Sequence, residues 1–176
     1  MEPAGLLLTY WRIFLQHSLP GPILDLACGE CHNGIFLARK GFPVICCDIS
    51  LKALECAQKI AAHFGVTLCP WQVDLEQMKV NPLPEDFYGG ILVFRYLHRP
   101  LMPCLKKALK KGGFLIYETF TIDQPKYGKP HNPDFLLHPG ELKSWFEDWE
   151  VIHSFEGIED NPPRAVAQFV GRKPYS

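Results

Sequence analysis

Along this chain, short runs of consecutive apolar residues alternate with segments whose apolar positions recur every third or fourth residue. The runs Pro22–Ala27 (PILDLA), Pro43–Asp48 (PVICCD), Val66–Asp74 (VTLCPWQVD), Tyr88–Leu97 (YGGILVFRYL) and Phe114–Phe120 (FLIYETF) read as strands. Between them, Asn33–Gly41 reads as a helix stopped by Gly41 after Arg39 and Lys40. Leu51–Gly65 reads as a helix capped by Ser50, with Leu51, Leu54, Ala57 and Ala61 on one face. Arg99–Gly113 is a third, with Gly112 and Gly113 as its stop. Tyr10, Trp11 and Phe14 fall at helical spacing, which predicts a covering helix over residues 1–20. Strands this apolar along their whole length are buried on both faces, as in a parallel sheet covered by helices. The chain ends differently. Asp148–Ile158 and Arg164–Pro174 read as two strands joined by a turn-rich EDNPPR, an antiparallel pair on the sheet edge. The expected fold is α/β: a doubly wound, mostly parallel seven-stranded sheet with a C-terminal antiparallel pair. One irregular stretch, residues 120–138, is long enough to be a lid.

Composition changes this picture little. The 176 residues suit one domain, and 47% apolar with 21% charged residues is ordinary for a globular protein. A formal net charge of −1 shows no basic excess and argues mildly against a nucleic-acid partner. The first residues lack a basic stretch, and their apolar run is broken by Tyr10, Arg12, Gln16 and His17, so neither a signal peptide nor a membrane span is expected. The cytoplasm is the expected location. In that reducing setting the seven cysteines, Cys46, Cys47, Cys56, Cys69 and Cys104 among them, read as small apolar residues and not as a disulfide framework.

The chemistry concentrates in ILDLACGECHNG, Ile23 to Gly34, between the first strand and the first helix of the sheet. In a doubly wound sheet ligands bind beyond the carboxyl ends of the strands, so this loop stands at the expected site. Cys28-x-x-Cys31-His32 spells a haem attachment string, but that chemistry belongs to exported proteins. Zinc would need two more ligands, and neither a second Cys-x-x-Cys nor a finger-spaced histidine pair supplies them. A thiol-redox pair of Cys28 and Cys31 stays open, because a cysteine at a helix start has a lowered pKa. A phosphate loop fails for want of a lysine after Gly34, and a dinucleotide fingerprint fails because its third glycine would fall on His32.

Asp25, Ala27, Gly29 and Cys31 stand at the four positions of the Asp/Glu-x-Gly-x-Gly-x-Gly motif, and the chain resembles the class I S-adenosylmethionine-dependent methyltransferases. Ala27 and Cys31 depart from the motif's glycines, which let backbone approach a cofactor closely. The resemblance implies a Rossmann-like methyltransferase domain spanning residues 1–176, with S-adenosylmethionine as cofactor and S-adenosylhomocysteine as product. On it, Asp25 orients the loop or attracts the cofactor's ammonium group, and Cys28 lies beside it. Asp48, ending the second strand, takes the ribose hydroxyls, with Ile49 next to it; Asp74 takes the adenine amino group and Leu75 packs on the ring; Phe94 closes the cofactor set. The competing assignments are a helix cap for Asp48 and a turn for Asp74. YLHRPLMP and the YETF…HPGEL stretch resemble the tellurite-resistance-like branch, which implies a small-molecule or metalloid acceptor. That acceptor is expected beyond the fourth strand, where Arg95, Tyr96 and His98 are the catalytic candidates. His98 is the candidate base, and a helix-cap role competes with it. Arg99, Glu118, Tyr127 and His131 are the substrate-binding candidates, with Lys129 nearby and Gly128 as a hinge; Glu118 could instead pair with Arg95 or Arg99. A non-catalytic cofactor-binding sensor or partner subunit remains the other alternative.

Overall fold

A computed structural model describes residues 2–16, 19–77 and 81–175. Helices α1 (Gly5–Tyr10) and α2 (Ile13–Gln16) precede strand β1 (Ile23–Leu26), followed by α3 (His32–Ala38), β2 (Val44–Asp48), α4 (Leu51–His63) and β3 (Cys69–Gln72). Then come β4 (Tyr88–Phe94), α5 (Met102–Ala108), β5 (Leu109–Phe120), α6 (Glu141–Ser144), β6 (Glu150–Asp160) and β7 (Pro163–Arg172). The seven strands form one sheet in the order β3-β2-β1-β4-β5-β7-β6. β1 to β5 pair parallel, and β7 runs antiparallel between β5 and β6, as expected. β1 pairs with β2 on one side and β4 on the other, so strand order reverses there and a crevice opens beyond its carboxyl end. No helix among the described residues is long and apolar enough to cross a membrane.

Each face of the sheet has its own apolar layer. One holds Leu6, Leu7, Ile13 and Phe14 against α3, α4 and the near face of β1, β2 and β4. The other is built around Leu97, Leu101, Leu105, Phe146, Trp149 and Phe169. Phe146 stacks on Phe169 with ring centroids 4.8 Å apart, which joins the turn after α6 to β7.

Three expectations change. The covering segment is two short helices and not one, with Trp11 and Arg12 between them. β3 is only Cys69–Gln72, an outer strand where Pro70 needs no ladder partner on its free side. The helix expected to run to Gly112 ends at Ala108, and Lys110 to Gly113 already belong to β5. Tertiary contacts decide this last point. The Lys173 ammonium, arriving from the far end of β7, donates to the carbonyls of Lys106 and Leu109 at 2.8 and 2.6 Å, satisfying the helix end early. Backbone N–H groups of Asp86 and Phe87 take the carbonyls of Lys107 and Ala108.

Candidate functional site

The loop after β1 repeats one backbone state: Ala27, Gly29 and Cys31 have φ of 51°, 55° and 57°, the left-handed region. These are three of the four positions matched to the motif, so the alternating glycines of that motif serve a backbone need that Ala27 and Cys31 meet under strain. Replacing Ala27 by Gly removes a Cβ from a left-handed residue and should raise stability by about 0.5–1 kcal/mol, seen as a melting temperature about 2 °C higher. Cys31→Gly should instead destabilise, because the Cys31 side chain is fully buried and its removal leaves a void. Thermal melts of the two variants separate the effects.

Asp25 sits behind this loop and is buried. Its Oδ2 accepts the Gly34 N–H at 2.8 Å and the Cys31 thiol at 3.4 Å. Burial pushes its pKa up to about 7, against the pull of those two donors. It organises the loop from behind and does not face the crevice. Asp48, at the end of β2, binds the loop from the front: Oδ2 accepts the Gly29 N–H at 2.8 Å and Oδ1 the Ser50 N–H at 2.9 Å. The cap of α4 is made by Ser50, whose hydroxyl accepts from Ala53. Asp74 uses Oδ1 to take the N–H groups of Glu76 and Gln77 at 2.9 and 3.3 Å, closing a turn.

These strand ends enclose a cavity of about 510 Å³ lined by Ala27, Asp48, Ile49, Val73, Asp74, Leu75, Glu76, Gln77, Arg95 and Tyr96. Its size and mixed lining suit a small-molecule ligand. Ile49 is exposed and Leu75 buried, so the crevice offers apolar surface between two carboxylates. A second cavity of about 410 Å³ adjoins it, lined by Glu76, Arg95, Tyr96, Leu97, Phe120, Lys129, Pro130 and Phe135. Glu76, Arg95 and Tyr96 line both. Arg95 is itself left-handed, with φ 57°, and its N–H donates to the Glu118 carbonyl at 2.8 Å, which fixes the turn out of β4. The Tyr96 carbonyl is held by the Tyr117 hydroxyl at 2.9 Å. The Tyr96 hydroxyl is buried, with the Glu76 carboxylate close by. Burial first, and the Glu76 carboxylate second, push its pKa up, so it stays protonated.

Several expected site residues stand elsewhere. Cys28 is half-buried with its thiol directed at the Gly29 carbonyl, and Phe94 packs against the first apolar layer; neither lines either of these two cavities. His98 occupies the cap position before a short 3-10 turn at Arg99–Leu101, yet its ring makes no cap bond and lines neither cavity. Arg99 is a clamp: Nε and Nη2 grip the Glu141 carboxylate at 2.6 and 2.9 Å, while Nη1 and Nη2 donate to the carbonyls of Asp134 and Leu136. Tyr127 and His131 are exposed and line neither cavity, whereas Lys129 and Pro130 of the same loop line the second.

The 120–138 stretch is more tightly tied than a free lid. Thr121 bridges to Leu137, the Gln124 amide accepts from Ala165 at 2.8 Å and donates to the Lys129 carbonyl at 3.0 Å, and Arg99 holds Asp134 and Leu136. Leu97, Phe120, Pro130 and Phe135 escaped sequence reasoning, because apolar residues carry no chemical signature until the chain folds them around one space.

Glu118 is buried on β5 and pairs with neither Arg95 nor Arg99. Its Oε2 accepts from Gln168 at 2.8 Å, and Arg164 Nη2 lies 3.4 Å from Oε1. Burial raises its pKa, against the pull of Arg164 and Gln168. A carboxyl whose pKa is raised by folding contributes stability that is complete below its ordinary pKa and lost as pH rises. Glu118→Gln keeps an acceptor for Gln168 and removes the buried charge. Its melting temperature should therefore gain on the unsubstituted protein as pH rises from below the ordinary carboxylate range; a constant difference across pH would refute the assignment.

Residues 15–161 match a family model described as Tellurite resistance protein TehB. A probable S-adenosyl-L-methionine-dependent methyltransferase TehB from Haemophilus influenzae is 25% identical over 146 residues, 79% of this chain and 49% of that protein. Hemagglutinin 1 from Eikenella corrodens is 27% identical over 154 residues, 84% of this chain and 50% of that protein. The chain thus spans about half the length of the curated relatives it matches. The crystal structure of TehB from Haemophilus influenzae superposes with a TM-score of 0.77 at 20% identity, covering 97% of this chain and 62% of that one. That likeness identifies the fold.

Proposed function

Since the chain belongs to the TehB family, we propose that it is a class I methyltransferase that holds S-adenosylmethionine in the larger cavity and a small anionic acceptor in the adjoining one. The observation that carries this reading is a pair of adjoining cavities at the strand ends, one walled by Asp48 and Asp74 and the other by Arg95 and Lys129, with Glu76, Arg95 and Tyr96 common to both. Two spaces that share a wall can hold a cofactor and an acceptor side by side.

The donor set fits the cofactor. A carboxylate has more lone pairs than Asp48 spends on Gly29 and Ser50, so it can also accept ribose hydroxyls. Asp74 keeps Oδ2 for an exocyclic amine, with Ile49 and Leu75 as apolar surfaces for a flat ring. When bound, S-adenosylmethionine supplies a methyl group already activated on a sulfonium sulfur. What the chain must add is alignment and exclusion of water. Tyr96 walls the junction of the two cavities; Arg95 and Lys129 draw an anion into the second; Leu97, Phe120 and Phe135 keep it dry. Arg95 and Lys129 against the single Glu76 carboxylate leave this lining one positive charge in excess, which favours a small organic acid or an oxyanion of a soft metalloid. A base is needed only if the acceptor arrives protonated.

Isothermal titration with S-adenosylmethionine and S-adenosylhomocysteine is the first test, followed by methyl transfer to small thiols, phenolates, selenite and tellurite. Saturable binding of both and turnover of an acceptor support the reading. Absence of saturable heat with either overturns the cofactor assignment, and binding without turnover leaves a sensor or partner subunit.

A further inference from the structure

The sulfurs of Cys28, Cys31 and Cys46 all lie within 4.8 Å of one another. The chain brings them from two places: Cys28 and Cys31 from the loop between β1 and α3, and Cys46 from the middle of β2. Sequence spacing shows only the first two. The third arrives because β1 and β2 pair in a register that sets Cys46 beside Asp25, the residue whose carboxylate holds the loop and accepts from Cys31. The space is shaped around sulfur: a Cβ on Gly34 would collide with Cys31 Sγ and crowd Val44. Cys31 and Cys46 are buried, while Cys28 is half-exposed and gives an entry from the loop side.

The geometry points to a three-sulfur site for a soft, thiophilic d10 cation of the Cu(I), Zn(II) and Cd(II) class, seated behind the loop and apart from both cavities. Sulfurs sharing an ion at about 2.3 Å stand roughly 3.8–4.0 Å from each other, so the three need to close by no more than about 1 Å. Thiolates select soft cations over the hard divalent ions that prefer oxygen. Each thiol that becomes a ligand releases its proton to water as the metal–sulfur bond forms, and no electron changes hands. An occupied site would tie the glycine-containing loop to β2, next to the Asp48–Gly29 bond.

The probe is cadmium, added to the full chain carrying Cys56→Ser, Cys69→Ser and Cys104→Ser, which removes the thiols outside the cluster that are not buried. The expected result is one cadmium per chain, a sulfur-to-cadmium charge-transfer band, and a melting temperature that climbs with cadmium concentration. Adding Cys46→Ala should abolish all three. X-ray absorption of the cadmium-loaded protein needs no cluster substitution and should count three sulfur neighbours. Fewer than three sulfurs, no stoichiometric binding, or binding that survives in a folded Cys46→Ala protein would each overturn the site. Zinc displacing cadmium at the same stoichiometry extends it to the borderline member of the class, and failure to displace restricts it to the softer ions.

Discussion

Asp48→Ala should weaken S-adenosylmethionine binding at least about 100-fold in a titration, with the protein still folded. Asp48 is at once a pillar of the loop and a wall of the crevice, receiving Gly29 N–H at 2.8 Å and lining the larger cavity. Hydrogen bonds to a charged group contribute about 1.5–3 kcal/mol each. Loss of two such bonds to ribose hydroxyls, together with a Gly29 N–H left unpaired, amounts to about 3 kcal/mol or more, hence roughly the stated factor in Kd. The variant should fold because Asp48 is at a strand end and only half-buried, and because the α4 cap belongs to Ser50. Asp48→Asn should fall between the two: its amide oxygen can still take Gly29, but it lacks the charge and the second acceptor. Equal affinity in Asp48→Ala and the unsubstituted protein would place the adenosine elsewhere.

Arg99→Ala should have the largest effect on the second cavity and on stability. The Arg99 guanidinium makes a two-pronged bond to Glu141 and reaches two carbonyls of the 120–138 stretch, the segment that brings Pro130 and Phe135 to the cavity. Glu141 also takes the His138 N–H at 2.8 Å, so one arginine and one carboxylate hold both sides of the segment's end. Removing the arginine leaves a partly buried carboxylate and two carbonyls without their donor, about 1–2 kcal/mol after solvent screening, or a few degrees of melting temperature for a chain of this size. Limited proteolysis should then cut first within residues 122–138. Cofactor affinity should stay near its original value, because Asp48 and Asp74 stand at the other end of the crevice, whereas KM for the acceptor should rise. Arg99→Lys should rescue little, since an ammonium cannot reproduce the planar fork. An intact loop and an unchanged acceptor KM in Arg99→Ala would show that Leu137 and Gln124 alone hold the segment.

Both results bear on how the site is written in the chain. Asp48 and Asp74 could be picked out beforehand because strand ends are visible as the close of an apolar run, and a carboxylate there stands out. The loop between Asp25 and Cys31 was equally visible as a motif. Its left-handed backbone at Ala27 and Cys31 explains why glycines define that motif and why these two replacements cost something. His98, Arg99 and Glu118 were also conspicuous as charged or titratable residues near the right strand ends, yet the fold aims two of them into packing: Arg99 onto Glu141 and Glu118 onto Gln168 and Arg164. Residue type alone could not separate these uses, because the same guanidinium or carboxylate serves a substrate or a neighbouring loop according to what lies within about 3 Å.

By itself the sequence determined the α/β class, the alternation of strands with helices, the antiparallel ending and the loop that faces the crevice. These follow from local periodicity and backbone preference, which neighbouring residues carry between them. Only the tertiary structure decided where α5 gives way to β5, which aromatic residues wall the second cavity, what Arg99 and Glu118 hold, and that Cys46 joins Cys28 and Cys31. Each of those depends on partners distant in sequence, such as Lys173 reaching Leu109 or Gln168 reaching Glu118. Such contacts are set by sheet register and layer packing, and no short window of the chain contains both members of the pair.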